Sequence, residues 1–169
     1  YKRQPLKEPE KVFSDVTHII ASIPPSEIGE IALLLHSDEL RDAASLTWVN
    51  YLSTPAVYGD RSGGVASEFD EPTPTSKRGE RRLAAERAWI DTFSDTRVSV
   101  QIMRIAGIYG PGRSVIEQVA AGRARIIEKE GQVFNRIHVD DIGTSLIASM
   151  LRPNAVSYTH LRAHETETN

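Results

Sequence analysis

Apolar and polar residues alternate along the chain in blocks that predict strands and helices in turn. Thr17–Ile23 is a short apolar run that ends at two prolines, which predicts a buried strand. Ser26 is a suitable helix cap, and Ile28, Ile31, Ala32 and Leu35 follow at helical spacing, which predicts a helix that runs to about Ala44. Leu46–Ser53 is rich in β-forming residues and predicts a second strand, and the glycines and prolines of 54–75 predict a loop.

The second half of the chain continues this alternation. Arg78–Phe93 is the clearest predicted helix, because its apolar residues form one stripe and its charges fall opposite. Arg97–Ala106 predicts a third strand, and Gly107–Gly112 predicts a turn. Three further elements are predicted: a helix over Ser114–Arg125, a short strand over Gln132–His138, and a helix over Ile142–Leu151 capped by Asp140 or Asp141.

Strands that alternate with helices and are apolar on both faces are typical of a doubly wound α/β fold with a parallel sheet. In such sheets ligands bind beyond the carboxyl ends of the strands. Three segments follow predicted strands and are therefore candidate ligand sites, namely Ser22–Pro25, Ser53–Gly59 and Arg104–Gly112.

Composition narrows the possible partners. The chain has 169 residues, a formal net charge of −3 and no cysteine. The slightly acidic balance argues against a nucleic-acid partner, and no apolar run approaches the roughly 18 residues that span a bilayer. Without cysteine the chain forms no disulfides or thiolate metal sites, which is compatible with a cytoplasmic protein.

The two ends of the sequence look unlike natural ends. The chain begins with Tyr1, and the run from Val156 to Thr166 resembles one reading frame of a transposase-type sequencing adaptor. We therefore expect a fragment in which residues 1–155 belong to the domain and 156–169 are a non-native tail outside the fold. His160 and His164 have a helical metal-ligand spacing, but the adaptor resemblance argues against a metal site there.

The glycine-rich segment Gly107–Ser114 nearly matches the phosphate-binding loop G-x-x-x-x-G-K-[ST]. Two residues depart from that pattern. Arg113 replaces the lysine, and Pro111 removes one backbone N–H from a loop that must donate them. A nucleotide hydrolase built on this loop remains the least favoured alternative, and a plain glycine-rich turn is the simpler interpretation.

Five motifs occur in a consistent order: YLSTPAVYGD, the proline-rich DEPTPTS, RLAAERAW, RIAGIYGPG and FNRIHVDDIG. In this order they resemble the extended short-chain dehydrogenase/reductase superfamily, and its NAD(P)-dependent epimerase/dehydratase branch most closely. The resemblance covers roughly residues 16 to 152. It implies a Rossmann-type sheet, NAD or NADP as cofactor, and a small-molecule substrate similar to a sugar nucleotide, with a possible homodimer in the full-length protein.

The resemblance also implies that the chain holds a partial Rossmann-type sheet whose N-terminal βαβ unit is missing. That unit carries the loop G-x-x-G-x-x-G, which binds the cofactor pyrophosphate, and this sequence contains no such loop. We therefore expect the loop upstream of Tyr1 and the 169-residue chain alone to be inactive and prone to aggregate. The residue that selects NAD or NADP would be upstream as well.

The family's acid–base residues are Ser or Thr together with Tyr and Lys in Y-x-x-x-K. Ser53 and Thr54 match the hydroxyl position, but the Tyr and Lys positions fall on Arg78 and Arg82 when Leu83–Glu86 anchors the alignment. When Ser76-Lys77 anchors it instead, the Tyr position falls on Thr73. No tyrosine lies between Tyr58 and Tyr109, so the usual pair is absent under any alignment. An arginine cannot act as a base, which leaves those two phenols as possible substitutes.

The resemblance and the strand ends together give a set of candidate site residues, none of them a metal ligand. The catalytic candidates are Ser53, Thr54 and Tyr58; the cofactor-binding candidates are Ser22, Ile23, Pro24, Arg82, Arg104, Ile105, Ala106 and Gly107; the substrate-binding candidates are Tyr109, Arg113, Arg136 and His138. His138 is also a possible base, although packing or structural roles are the simpler interpretation for Tyr58, Tyr109 and His138. Two functions stay open, namely an NAD(P)-dependent epimerase, dehydratase or reductase and a non-catalytic NAD(P)-binding sensor.

Overall fold

The chain folds around a parallel sheet. The structure is a computed structural model and describes residues 4–123, 135–153 and 156–161. Four strands lie in the order β1-β2-β3-β6, all parallel, and β4 and β5 form a separate parallel pair. The elements are α1 (Pro9–Phe13), β1 (His18–Ala21), α2 (Ile31–Arg41), β2 (Trp48–Ser53), a 3-10 turn (Pro55–Tyr58), α3 (Lys77–Thr92), β3 (Ser99–Ile105), β4 (Gly107–Tyr109), α4 (Val115–Ala120), β5 (Arg136–His138), α5 (Val139–Leu151) and β6 (Val156–Leu161).

One face of the sheet packs against α2 and α3. Side chains alternate between faces along each strand, so the paired residues Val49 and Val100, and Tyr51 and Ile102, point to the same side. They form a core with apolar residues of the two helices and the segments next to them: Leu33, Leu40, Leu46, Ala85, Trp89 and Phe93. This is the larger of the two buried apolar clusters, and it holds α3 against β2 and β3.

The opposite face of the sheet carries a smaller cluster. Met103 and Ile105 of β3 pack with Ile137 of β5 and Ile142 of α5. The indole N–H of Trp48 donates to the Gln101 side chain at 3.0 Å, and Ser149 of α5 donates to the same oxygen. Helices thus cover both faces of the sheet, as the strand pattern predicts.

Helix α2 begins four residues later than predicted. Ser26 does not cap it; the Ser26 hydroxyl instead donates to the Gly29 carbonyl within a short turn. Glu30 is the cap, because its carboxylate accepts the Leu33 N–H at 2.9 Å. A carboxylate can satisfy a first-turn N–H as a serine hydroxyl does, and its negative charge is favourable at that end of the helix.

Helix α3 confirms the predicted helix, with Ser76 as its cap, but one feature of the prediction is wrong. The charges were expected opposite the apolar stripe, yet Arg82 and Glu86 are buried on the inward face beside Trp89. The positions 82, 86, 89 and 93 have the spacing of one helix face. The two charged side chains are tolerated there because each finds hydrogen-bond partners, described below.

Two boundaries near the C-terminus also differ from the prediction. The segment predicted as a turn contains β4, whose Gly107–Tyr109 pairs with β5. His138 caps α5, in place of Asp140 or Asp141, since its Nδ1 accepts the Asp140 N–H at 3.3 Å. The ends of the predicted helix and strand at 124–125 and 132–134 lie outside the described residues.

The segment Val156–Leu161 lies inside the fold, contrary to the expectation that residues from 156 onward stay outside it. It forms β6 and pairs in parallel with β3 from Val100 to Ile105. Alternating β-forming residues with an exposed neighbouring edge are sufficient for strand addition, whatever the origin of the segment. His160 therefore lies on a strand, where the helical metal-ligand spacing does not apply, and His164 lies outside the described residues.

No helix in the described part of the chain is both long and apolar enough to cross a bilayer.

Candidate functional site at the carboxyl ends of the strands

The three predicted ligand segments lie along one edge of the sheet. Because β1, β2 and β3 are parallel, their carboxyl ends lie side by side, with Ala21 paired to Tyr51 and Ser53 paired to Arg104. The exposed segment Ser22–Pro24 follows β1, and Ala106 and Gly107 follow β3, whose last residue is Ile105. The structure therefore brings together residues that are up to 85 positions apart in the sequence, from 22 to 107.

A short 3-10 turn follows β2 and carries the Thr54 hydroxyl. Thr54 is half-buried, and its Oγ1 accepts the Ala56 N–H at a long 3.4 Å. The turn ends at Gly59, which has φ +71°, and a Cβ there would lie 2.2 Å from the Thr73 carbonyl oxygen. A side chain at that position would clash with the loop backbone, so glycine lets the loop that holds Thr73 pass close to the end of the turn.

A buried charge network lies directly beneath this turn. The Glu86 carboxylate accepts hydrogen bonds from the Ser53 hydroxyl, from Arg104 Nε at 3.2 Å and from Arg104 Nη2 at 2.7 Å. Arg104 Nη1 donates to the Tyr58 hydroxyl. Burial alone would lower the pKa of Arg104, but the hydrogen bond and charge of Glu86 raise it above its ordinary value. The four side chains tie β2, α3 and β3 together.

Arg82 is a buried residue of α3 whose side chain reaches the end of β2. Its Nη1 donates to the Leu52 carbonyl at 2.9 Å and to the Tyr51 hydroxyl at 3.0 Å. Its Nε is buried without a partner among the described residues. Arg78, one turn earlier on the same helix, is exposed. A positively charged group thus lies at the end of β2, where it is bonded to the buried hydroxyl of Tyr51.

Two phenols near the network are poor candidates for a base. Tyr58 is buried, and burial raises its pKa, with Arg104 offsetting the effect in part. Tyr51 is fully buried, and burial raises its pKa to about 12 despite the nearby Arg82. A phenol with a raised pKa is ionised in a smaller fraction at neutral pH, so less of it is present in the form that accepts a proton. The structure therefore weighs against the predicted catalytic role of Tyr58.

These shifts predict an alkaline loss of stability. A phenol whose pKa is higher in the folded state adds stability that is complete below its unfolded pKa of about 10 and falls as pH rises toward the folded value. For Tyr51 this window runs from pH 10 to about 12. In a pH titration followed at 295 nm, where tyrosinate absorbs, we expect some tyrosines to ionise only above pH 10. Their ionisation should coincide with unfolding of the protein. A Tyr51→Phe variant should lack one of these; complete tyrosine ionisation near pH 10 in a folded protein would contradict the prediction.

A second cluster lies on the β4–β5 pair. Tyr109 and His138 are directly paired, and their rings meet edge to face with centroids 5.1 Å apart. Tyr109 is exposed, so it is a phenol that solvent and a ligand can reach. Arg136 is also exposed and lies beside Gly107, and Arg113 is exposed in the adjoining loop. His138 has a structural role as the cap of α5 in addition to any contact with a substrate.

The glycine-rich loop before α4 uses its own N–H groups. The Glu117 carboxylate accepts the Gly112 N–H and the Ser114 N–H, each at 3.1 Å. These two hydrogen bonds lower the pKa of Glu117. An internal carboxylate therefore occupies donors that a phosphate-binding loop would offer to its ligand.

Among the described residues, neither the surface grooves nor the metal-ligating side chains indicate a second kind of site. An open groove of about 370 Å³ lies between α2 and α3, and another of about 210 Å³ is lined by 90–100. Neither is lined by Thr54 or Arg82. Within 4–123, 135–153 and 156–161, no group of three His, Asp or Glu residues is placed to hold a metal ion.

Glu86 is the site residue that the sequence analysis missed. Its relative exposure is 0%, and it connects Ser53 with Arg104. A signal was available in the sequence, because Glu86 lies four residues after Arg82 and three before Trp89, on the helix face that the apolar residues bury. A carboxylate at such a position requires a buried partner, and Arg104 is a strand residue whose partner was not identified.

Comparisons with known proteins agree with this architecture. No protein-family model matches the sequence, and no curated protein matches it significantly. The chain is similar to the solved structure of a functionally unknown conserved protein from Silicibacter pomeroyi, with 41% identity and a TM-score of 0.82. The match covers 89% of this chain and 52% of that one.

Several similar solved structures contain ligands. One is MoeE5 in complex with UDP-glucuronic acid and NAD, with 24% identity, a TM-score of 0.75, and coverage of 93% of this chain and 60% of that one. Another is UDP-glucuronic acid 4-epimerase from Bacillus cereus in complex with UDP-glucuronic acid and NAD, with 20% identity, a TM-score of 0.73, and coverage of 94% and 58%. The chain spans between 52% and 60% of the lengths of these three proteins. The predicted fold class is confirmed: the chain has part of a Rossmann-type parallel α/β sheet.

Proposed function

We propose that this chain is part of an NAD(P)-binding protein of the epimerase/dehydratase type that acts on a small molecule resembling a sugar nucleotide. The observation that carries the proposal is the placement of the Thr54 hydroxyl and the Arg82 guanidinium at the carboxyl end of one central strand. Ligands of parallel α/β sheets bind at this edge. The likeness to NAD-bound structures supports the same class of ligand.

The residues present suit one half of the cofactor. Arg82 has a buried Nε without a partner among the described residues, and a guanidinium can donate to ribose hydroxyls. The exposed Ser22–Pro24 segment and Thr54 lie at the same edge. No G-x-x-G-x-x-G loop occurs in the 169 residues, so we propose that residues preceding this chain in a complete protein bind the pyrophosphate.

The chemistry follows from what each side chain can do. NAD, when bound, supplies a hydride acceptor, and NADH a donor. Thr54 would orient the substrate oxygen through its hydroxyl, and Arg82 would supply positive charge but cannot accept a proton. Arg113 and Arg136 would bind substrate phosphates, since a planar guanidinium matches phosphate oxygens. Tyr109 is the exposed phenol that could take part in proton transfer.

A second candidate function is a non-catalytic NAD(P)-binding sensor. It is favoured by one observation: the position of the usual phenol is an exposed arginine, and the nearest phenols, Tyr51 and Tyr58, are buried with raised pKa values. Such a protein would bind the cofactor at the same strand ends without turning over any sugar nucleotide.

The proposal is tested by calorimetric titration of NAD and NADP into the complete protein that contains this chain. We expect binding, and we expect Arg82→Gln to weaken it roughly tenfold, in line with the loss of a charge-assisted hydrogen bond. Arg82→Lys should recover part of the affinity, and Arg87→Gln, on the exposed side of the same helix, should have no effect. Equal affinity in Arg82→Gln, or no binding by the wild-type protein, would contradict the proposal.

Absorbance at 340 nm, together with analysis of the UDP-sugar recovered after incubation, separates the two candidate functions, because epimerisation returns the hydride to the sugar and leaves no net NADH. Hydride transfer on adding UDP-sugars to the NAD complex supports the enzyme. Cofactor binding without hydride transfer or epimerisation of any UDP-sugar supports the sensor.

A further inference from the structure

Ser53 ends β2 and Thr54 follows it, and a buried ion pair binds the hydroxyl of Ser53 but not that of Thr54. We propose that the Glu86–Arg104 pair is a positioning device that holds Ser53 inside the protein and leaves Thr54 as the hydroxyl that faces the substrate. The inference deepens the proposed function and rests on it. It assigns Glu86, Arg104 and Ser53 as positioning residues, and it removes Ser53, Tyr58 and Arg104 from the groups that would touch ligand.

Glu86 and Arg104 satisfy each other almost completely. Their side chains are 1% and 2% exposed, and two Arg104 nitrogens bind the two carboxylate oxygens. The Ser53 hydroxyl donates to the same carboxylate, so its proton is committed to an internal acceptor. A serine that is 6% exposed and bound to a charged group cannot present its hydroxyl to a substrate without breaking that bond.

The Thr54 hydroxyl, unlike that of Ser53, is not bound by a charged group of the described residues. Its side-chain oxygen accepts one long hydrogen bond, from the Ala56 N–H, and no described residue accepts its hydroxyl proton. Successive residues of an extended chain point to opposite sides, so holding Ser53 toward α3 turns Thr54 away from it. Thr54 can therefore donate to a substrate oxygen and still cap the turn.

The same ion pair fixes the far end of the turn. Arg104 Nη1 donates to the Tyr58 hydroxyl, and the guanidinium lies 4.7 Å from the Tyr58 ring centroid and 4.5 Å from that of Tyr158. Tyr58 is the last residue of the 3-10 turn that Thr54 begins. Glu86 thus holds one end of the turn through Ser53 and the other through Arg104, which fixes where the Thr54 hydroxyl lies.

The first test does not depend on activity. In NMR spectra of the complete protein, we expect a slowly exchanging hydroxyl proton for Ser53 and none for Thr54. The Glu86→Gln variant, which removes the charge and keeps the shape, should also lower the pKa of Tyr58, because the charge of Glu86 raises it. Glu80→Gln, on the exposed side of the same helix, should leave the Tyr58 titration unchanged. Fast exchange at Ser53, or protection at Thr54 equal to that at Ser53, would overturn the inference.

The second test uses turnover of a UDP-sugar by the complete protein. Thr54→Val should lower kcat roughly 100-fold, as loss of a positioned hydrogen-bond donor does, and Thr54→Ser should restore most of it. Ser53→Ala should cost far less. Glu86→Gln should lower kcat with little change in KM, which a purely stabilising role would not do.

The outcomes of these tests are distinguishable. An equal loss in Ser53→Ala and Thr54→Val, or an unchanged kcat in Glu86→Gln, overturns the positioning role. A wild-type protein without turnover contradicts the enzymatic function and with it the substrate-facing role of Thr54, whereas the NMR test still decides how the two hydroxyls are held.

Discussion

Replacing Trp89 with alanine is expected to lower the free energy of unfolding by about 3–5 kcal/mol. Trp89 has a relative exposure of 0% and fills the space between α3 and the sheet. Its ring stacks on Phe93 at a centroid distance of 6.2 Å and lies 6.3 Å from the Tyr51 ring. Alanine at this position would leave a cavity among side chains that rigid strands hold apart, so the core could close it only in part.

Urea unfolding of the complete protein, followed by circular dichroism at 222 nm, measures this loss without relying on tryptophan fluorescence. Arg87→Ala is the matched control, because Arg87 is exposed on the same helix and its replacement should change stability by less than about 0.5 kcal/mol. A Trp89→Ala protein as stable as this control would mean that α3 does not pack on the sheet as described.

Replacing Glu86 with leucine should have an effect of the same size, about 3–5 kcal/mol, for an electrostatic reason. The substitution leaves the Arg104 guanidinium buried without its carboxylate and leaves the Ser53 hydroxyl without its acceptor. Removal of one partner of a buried ion pair costs more than the pair contributes, because the remaining charge has lost its hydration as well.

A double-mutant cycle separates this cost from the net contribution of the pair. Glu86→Leu combined with Arg104→Met should be less destabilised than the sum of the two single variants, since it leaves no buried charge without a partner. Additive effects of the two substitutions would show that the side chains do not interact.

The fold could be predicted largely because its determinants are local. Buried parallel strands are apolar on both faces, and helices repeat their apolar residues at the helical period. The strands predicted at Thr17–Ile23 and Leu46–Ser53 are therefore confirmed as β1 and β2. The errors arose where a tertiary contact decides the outcome. His138 caps α5 because β5 places its ring there, and β6 forms because β3 offers an open edge.

In the candidate site, too, some features follow from the sequence alone and others depend on tertiary contacts. The position of Thr54 at a strand end follows from the sequence order, and the absence of the usual Tyr–Lys pair needs no structure. The accessibility of each hydroxyl does not follow from the sequence, because it depends on Glu86, which is 33 positions away from Ser53 and meets it only after α3 packs on the sheet. Burial likewise distinguishes Tyr58 from Tyr109, although both follow strands.

We propose that NAD binds across the carboxyl ends of β1, β2 and β3, with Thr54 facing the substrate. A crystal structure of the complete protein with NAD and a UDP-sugar tests this placement. We expect the nicotinamide riboside beside Arg82, the sugar within hydrogen-bond distance of the Thr54 hydroxyl, and Ser53 still bound to Glu86. Cofactor bound elsewhere, such as in the groove between α2 and α3, or a sugar contacting Ser53 in place of Thr54, would contradict the account.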